Sequence, residues 1–336
     1  MPSLVVQTSF LGDVILTTPL IAELSERGPV DVLTTQVGSN VLANNPSIRK
    51  VIVFDKKTKG RIIHTWKIAR SLREPEAGLQ SSTAYMAQGS MRSAAIAAFA
   101  GIPARVGFDT SAGKPLYTRT VEYRGDKHHA ERLLRLAGVQ DPEEDRIRPR
   151  LYPGESDRRD VDRLLEGVSA PFMVFAPGSA WGTKRWPYFP HLATMLTADF
   201  PVVVIGGEAE GALAGEIEVA APGKTIDATG DLSVLGSAEL IRRAVAIVSN
   251  DSAPLHLASA MNTPTVAVFG PTVPDFGFGP LADRRIVAGL EGLACRPCDR
   301  HGPQRCPLGH WRCMRELSAE YVYKLLQTLL PQPRMA

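Results

Sequence analysis

Short, almost wholly apolar runs recur along the chain, each followed by polar residues rich in glycine or hydroxyls. Leu4-Val5-Val6, Val30-Asp31-Val32-Leu33, Val51-Ile52-Val53-Phe54 and Ala104–Phe108 make a first series. Runs this short and this uniformly apolar predict strands buried on both faces, as in a parallel sheet. Apolar residues at helical spacing lie between them (Val14, Leu16, Pro19, Leu20, Leu24), and the Ala-rich residues 93–100 predict another helix. A second series follows: Phe172-Met173-Val174-Phe175, Val202-Val203-Val204-Ile205, Ala246-Ile247-Val248 and Thr265-Val266-Ala267-Val268-Phe269. Strands alternating with helices, twice over, predict an α/β protein of two doubly wound, Rossmann-like domains.

Residues 146–162 are rich in charge, proline and glycine and read as the linker between the halves. The expected division is an N-terminal domain over 1–155 and a C-terminal domain over 156–316. A closing helix over 317–336, with Ser318 as its N-cap, is expected to pack back on the first domain. The total of 336 residues suits two α/β domains better than one core.

Composition narrows the classes. Hydrophobic residues make up 44% and charged residues 22%, which is globular rather than disordered. The formal net charge of +3 is too mild to suggest a nucleic-acid partner. No apolar stretch approaches the ~18 residues a membrane span needs. The opening Met1-Pro2-Ser3-Leu4-Val5-Val6 lacks a basic segment, and Asp13 interrupts the apolar run after it. It reads as a first strand, not a signal peptide, so a cytoplasmic protein is expected.

Candidate chemistry sits where strands give way to helices. In Thr8-Ser9-Phe10-Leu11-Gly12-Asp13, the carboxylate is placed either to cap a helix or to act as a base at a cleft mouth. Residues 177–187 (Pro177-Gly178-Ser179-Ala180-Trp181-Gly182-Thr183-Lys184-Arg185-Trp186-Pro187) combine glycines, hydroxyls and cations. Such a loop suits a phosphate, although its spacing is not that of a Walker loop. In Asn250-Asp251-Ser252-Ala253-Pro254-Leu255-His256, the acidic and amide side chains suit sugar hydroxyls and the helix-opening amides suit phosphate. The alternative is that Asn250 or Asp251 is a plain cap and His256 fills a core gap.

All four cysteines, Cys295, Cys298, Cys306 and Cys313, lie close together with His301 and His310 among them. The ligand types would suit zinc, but the second pair is spaced more widely than a knuckle, so reduced structural thiols are the main reading and zinc the alternative. Lys56, Lys57, Lys59, Arg61, Lys67, Arg70 and Arg73 form a basic run interleaved with Trp66 and isoleucines. It suits either an anionic lipid surface or a solvated helix face.

Taken in order, Ser9-Phe10-Leu11-Gly12-Asp13-Val14, Pro177-Gly178-Ser179 with Lys184-Arg185-Trp186-Pro187, and Asn250 through Ala258 resemble glycosyltransferase family 9. This is the family of ADP-heptose:lipopolysaccharide heptosyltransferases. The likeness runs on to Phe269-Gly270-Pro271-Thr272 and covers nearly the whole chain. The middle loop and Cys306-Pro307-Leu308-Gly309-His310 look most like the type II members. Gly89 and Met91 depart from the Asn and Phe that type II members carry beside Ser90 and Arg92.

The resemblance implies a GT-B fold, with two domains facing across a cleft and the donor held mainly by the second. It also implies inversion at the anomeric carbon, ADP-heptose as donor and the lipopolysaccharide inner core as acceptor. No cofactor and no obligate metal are expected. Asp13 would be the catalytic base. Ser179, Lys184, Glu208, Asp251, Ser252, Ala253 and His256 would bind donor, with Glu208 near the ribose. Ser9, Gly12, Ser90 and Arg92 would face the acceptor. Peripheral contact with the inner membrane surface is a further expectation. The rivals are another nucleotide-sugar transferase or 2-epimerase of the same fold, or a non-catalytic nucleotide-sugar or zinc-binding protein.

Overall fold

Seven of the eight apolar runs are central strands of two sheets, while Val51–Phe54, expected to be buried on both faces, falls on the half-exposed edge strand Lys50–Val53. In the computed structural model, which describes residues 1–54, 61–74, 78–79, 82–168, 171–196 and 199–330 (backbone alone for 61–64), each sheet has six strands. The first contains β1 (Ser3–Val6), β2 (Val30–Thr34), β3 (Lys50–Val53), β4 (Thr83–Met86), β5 (Ala104–Phe108) and β6 (Arg119–Val121) in the order β3-β2-β1-β4-β5-β6. The second contains β7 (Met173–Ala176), β8 (Val202–Val204), β9 (Thr225–Asp227), β10 (Ala246–Asn250), β11 (Thr265–Phe269) and β12 (Arg285–Gly289). Its order is β12-β11-β10-β7-β8-β9, the same pattern read from the other end. All described pairings are parallel, with Val5 opposite both Val32 and Tyr85, and Val174 opposite both Ile247 and Val203.

Parallel strands covered on both faces explain the uniformly apolar runs. Leu4, Val5 and Val6 are 0% exposed, as are Val202, Val203 and Val204. Each such side chain contributes roughly 1.5–3 kcal/mol by leaving water. An aspartate at Val5 or Val203 would therefore break its sheet. Where the strand order reverses, between β1 and β4 and between β7 and β10, the crossover helices diverge and leave a crevice at the strand carboxyl ends.

The chain divides into Met1–Tyr152 and Pro153–Ala336, close to the expected boundary. Two expectations need correction. Much of the anticipated linker is a helix, Glu155–Leu164, belonging to the second unit. Asp157 accepts the Gly154 N–H at 2.8 Å and a bond from Ser233 Oγ at 2.6 Å, while Val161 is buried, so its dense charge sits on a packed helix.

The closing helix, Ala319–Leu329, expected on the first unit, packs into the core of the second. Val322, Leu326 and Leu329 join Met173, Val204 and Val266 there. Its apolar stripe completes the cover of the second sheet. The expected cap is in place, with Ser318 Oγ accepting the Tyr321 N–H at 3.2 Å.

Candidate active site

In the first unit, the loops after β1 and β4 meet at the switch point. Gln88 ties them together: Ser9 Oγ donates to its Oε1 at 2.8 Å, and its Nε2 donates to Ser93 Oγ at 2.6 Å and to Thr8 Oγ1. Asp13 lies in the first turn of the helix Leu11–Leu16, whose entry at Phe10 is extended. Its Oδ2 accepts the Phe10 N–H at 3.2 Å, so the capping role is real. Its Oδ1 lies 3.7 Å from Nε2 of His129, the first residue of the helix His129–Leu136, and the side chain keeps 20% exposure. A backbone amide thus fixes the orientation of the Asp13 carboxylate beyond the end of β1.

Ser90 is the N-cap residue of the helix Met91–Phe99, with no bond from its side chain to that helix. The Arg92 guanidinium lies 5.4 Å from the centroid of the Phe54 ring. Gly12 is half-buried in the same first turn as Asp13. These groups follow β1 and β4, at the carboxyl ends of the first sheet's two innermost strands.

In the second unit, the loops after β7, β10 and β11 converge. Lys184 Nζ donates to Asp251 Oδ2 at 2.5 Å, and Thr272 Oγ1 donates to the same oxygen at 2.7 Å. All three residues are buried. Lys184 retains two further N–H donors beyond its bond to Asp251. Asn250 is wholly buried, and its amide ties the two ends of the 177–187 loop. Nδ2 donates to the Pro177 carbonyl at 2.7 Å and Oδ1 accepts the Trp186 N–H at 3.2 Å. Asn250 is thus a loop tie, which corrects its placement among sugar ligands, because its polar atoms are used in holding backbone.

Ser179 is buried, and its Oγ accepts the Trp181 N–H at 3.3 Å. Ser252 precedes the helix Ala253–Met261 and makes no side-chain bond to it, and Pro254 lies within the first turn. Helix-opening amides uncapped by a side chain are an anion site when they face a cavity. His256 is buried one turn in, its ring 6.3 Å from that of Phe278, and its Nδ1 has no hydrogen-bond partner among the described residues. Burial lowers its pKa to about 4, the Asp251 charge opposing and the Lys184 charge assisting. His256 is therefore neutral at physiological pH.

Glu208 begins the short turn Glu208–Glu210 after β8 and is exposed. The carboxylate nearer the 177–187 loop is that of Glu210. A Cβ on Gly178 would lie 2.5 Å from Glu210 Cγ, and one on Gly206 would lie 2.7 Å from its Cβ. These two glycines therefore admit Glu210.

The cysteines are all free. Cys295 Sγ is 3.8 Å from His310 Nε2, and Cys298 Sγ donates to the Cys295 carbonyl at 3.1 Å. Burial pushes the Cys313 thiol up to about 11 and raises that of Cys298. Burial acts the same way on Cys306 but is outweighed by the amides of Trp311, Leu308, His310 and Gly309, which lower it. Among the described residues no three His, Cys, Asp or Glu side chains gather as a metal site, so the zinc alternative gains no support.

Of the basic run, residues 56, 57 and 59 lie outside the described residues, as does the Arg61 side chain. Lys67, Arg70 and Arg73 are exposed on the helix Arg61–Arg73. Trp66, 53% exposed, stacks on Phe99, 45% exposed, with ring centroids 4.6 Å apart. Among the described residues no helix is long and apolar enough to cross a membrane.

Two doubly wound sheets of one topology, the second gathering a buried lysine, hydroxyls and an open helix N-terminus at its switch point, have the build of a GT-B glycosyltransferase. The sequence profile of glycosyltransferase family 9 (heptosyltransferase) matches residues 65–309. Lipooligosaccharide heptosyltransferase 2 of Haemophilus influenzae is 27% identical over 97% of this chain and 99% of its own. Lipopolysaccharide heptosyltransferase 2 of Escherichia coli is 29% identical over 82% of this chain and 84% of its own. The solved structure of the E. coli ADP-heptose lipopolysaccharide heptosyltransferase II superposes with a TM-score of 0.78, at 25% identity and 98% coverage of both chains. The chain belongs to glycosyltransferase family 9, the heptosyltransferases.

Proposed function

We propose that the chain moves a heptose from ADP-heptose to a hydroxyl of the lipopolysaccharide inner core, inverting the anomeric centre, in the manner of the type II relatives. The observation that carries this reading is the buried Lys184–Asp251–Thr272 cluster beside the helix-opening amides of Ser252 and Ala253. It pairs donors for a diphosphate with a carboxylate that can accept from sugar hydroxyls.

In this reading Asp13 takes the proton of the acceptor hydroxyl as that oxygen bonds to the anomeric carbon. The bond from that carbon to the diphosphate breaks, and its electron pair leaves with ADP. Lys184 and the amides of Ser252 and Ala253 stabilise the developing negative charge. Fixed donors aimed at a leaving diphosphate supply the largest part of such catalysis. They supply it with protein charges alone, so turnover persists in EDTA. Ser179 shapes the loop that carries Lys184, Asp251 contacts the heptose, and neutral His256 fills the wall behind it. Glu208 or its neighbour Glu210 meets the nucleoside, while Ser9, Gly12, Ser90 and Arg92 line the acceptor side.

The same reading places the protein in the cytoplasm, in peripheral contact with the inner membrane. The exposed Trp66–Phe99 stack supports this contact, as do Arg70 and Arg73 on Trp66's helical stripe.

The test is the product. Incubation with ADP-heptose and a heptose-accepting core lipid is expected to raise the lipid mass by one heptose and release ADP. Unchanged lipid with ADP released would mean hydrolysis. An altered nucleotide sugar without acceptor would mean an epimerase.

A further inference from the structure

The cysteine-rich segment touches the proposed donor site at several points. Residues 296–304 contain no regular helix or strand, so their own hydrogen bonds set their position. At one end Arg296 donates to the Thr272 carbonyl through Nε at 3.3 Å and Nη2 at 3.1 Å, and the Cys298 N–H donates to the Pro271 carbonyl at 2.9 Å. Thr272 is the residue whose hydroxyl holds Asp251.

At the other end the segment lies along the 177–187 loop. Gln304 Oε1 accepts the Gly182 N–H at 3.1 Å, and its Nε2 donates to the Ala180 carbonyl at 2.8 Å. The Pro303 carbonyl accepts the Thr183 N–H at 3.3 Å and also the Thr183 hydroxyl.

Two glycines make this approach possible. A Cβ on Gly182 would lie 2.5 Å from the Gln304 carbonyl oxygen. Gly302 has φ +83°, and a Cβ there would meet Thr183 Oγ1 at 3.3 Å and Lys184 Cε at 3.4 Å. The Trp181 and His301 rings stack with centroids 6.0 Å apart. The loop carrying Ser179 and Lys184 thus has its outward-facing amides and carbonyl satisfied by this strap, not by the sheet.

We propose that residues 296–304 are a strap that sets the donor loop, with Gln304 the positioning residue that holds the Ala180–Gly182 backbone between Ser179 and Lys184. The inference rests on the reading that the second unit holds a nucleotide diphosphate. Gln304 touches no reacting atom in this account. It fixes where the Lys184 ammonium stands before the diphosphate arrives, so its loss acts on donor binding.

The experiment compares the wild type, Gln304→Ala, Gln304→Glu and Arg305→Ala by calorimetric ADP titration and by steady-state kinetics in each substrate. Gln304 is exposed, and so is Arg305, which serves as the neighbouring control. Gln304→Ala is expected to raise the ADP Kd and the ADP-heptose KM about tenfold, the scale of two lost hydrogen bonds. The acceptor KM should be unchanged, and the melting temperature should fall by no more than a few degrees. Gln304→Glu should bind donor at least as poorly, because a carboxylate oxygen would then face the Ala180 carbonyl. Donor constants within twofold of wild type in both Gln304 variants would overturn the proposal. So would an equal loss in Arg305→Ala, or a loss shared by donor and acceptor. A wild type that binds no ADP would overturn the functional reading itself, and the strap with it.

Discussion

Lys184 Nζ and Asp251 Oδ2 lie 2.5 Å apart, and each side chain is only 10% exposed. The two groups assigned from sequence to different parts of the donor therefore hold each other. Breaking a buried pair leaves one charge uncompensated, which costs more than removing both. Lys184→Met alone is expected to lower unfolding stability by about 3–5 kcal/mol. The double change Lys184→Met with Asp251→Leu should recover most of that in urea melts while staying inactive. A Lys184→Met protein as stable as the wild type would contradict the buried pair.

His256 gives the pH dependence a definite sign. Burial, opposed by Asp251 and helped by Lys184, holds its folded pKa at about 4. In the unfolded chain the imidazole titrates at about 6.5. Between these values the unfolded chain binds a proton that the folded one refuses, so stability is lost as pH falls from about 6.5 to about 4, by about 3 kcal/mol in all. Above that window His256 contributes no slope. Urea melts across pH should show a shallower acid-side fall for His256→Gln than for the wild type, and parallel curves would contradict the buried neutral ring.

The exposed aromatic and basic face leads to an expectation about lipid. Binding to vesicles containing phosphatidylglycerol should weaken with salt. It should fall about a hundredfold when Lys56, Lys57 and Lys59 are changed together to glutamine, at about 1 kcal/mol per charge. Trp66→Ala should weaken it further. Sedimentation that ignores both salt and these changes would remove the membrane contact from the account.

What was legible in the sequence follows from where each signal lives. Central strands such as Val202–Val204 announce themselves because burial on both faces leaves no polar residue in the run. Three of the four edge strands, Arg119–Val121, Thr225–Asp227 and Arg285–Gly289, carry arginines, aspartate or threonines and partly face water, so they do not stand out, whereas the apolar Val51–Phe54 marks the fourth. Thr83–Met86 is central but opens with a half-buried threonine and holds a tyrosine, so it too escaped.

The site motifs were readable as loops because glycine, proline and hydroxyls cluster there. Their mutual contacts were not. Lys184 and Asp251 are 67 residues apart, and Gln304 stands 122 residues from Gly182. No local spacing encodes such pairings. His129 beside Asp13 was hidden for the same reason, and the closing helix because an apolar stripe does not name the sheet it covers.

The most direct test of the central claim follows ADP release from ADP-heptose in EDTA, with and without core lipid, by the wild type and Asp13→Ala. Release by the wild type is expected only when acceptor is present, and a rate about 10²–10⁴-fold lower in the variant at unchanged ADP affinity. Acceptor-dependent release that survives in Asp13→Ala, or that vanishes in the wild type once EDTA is added, would contradict it.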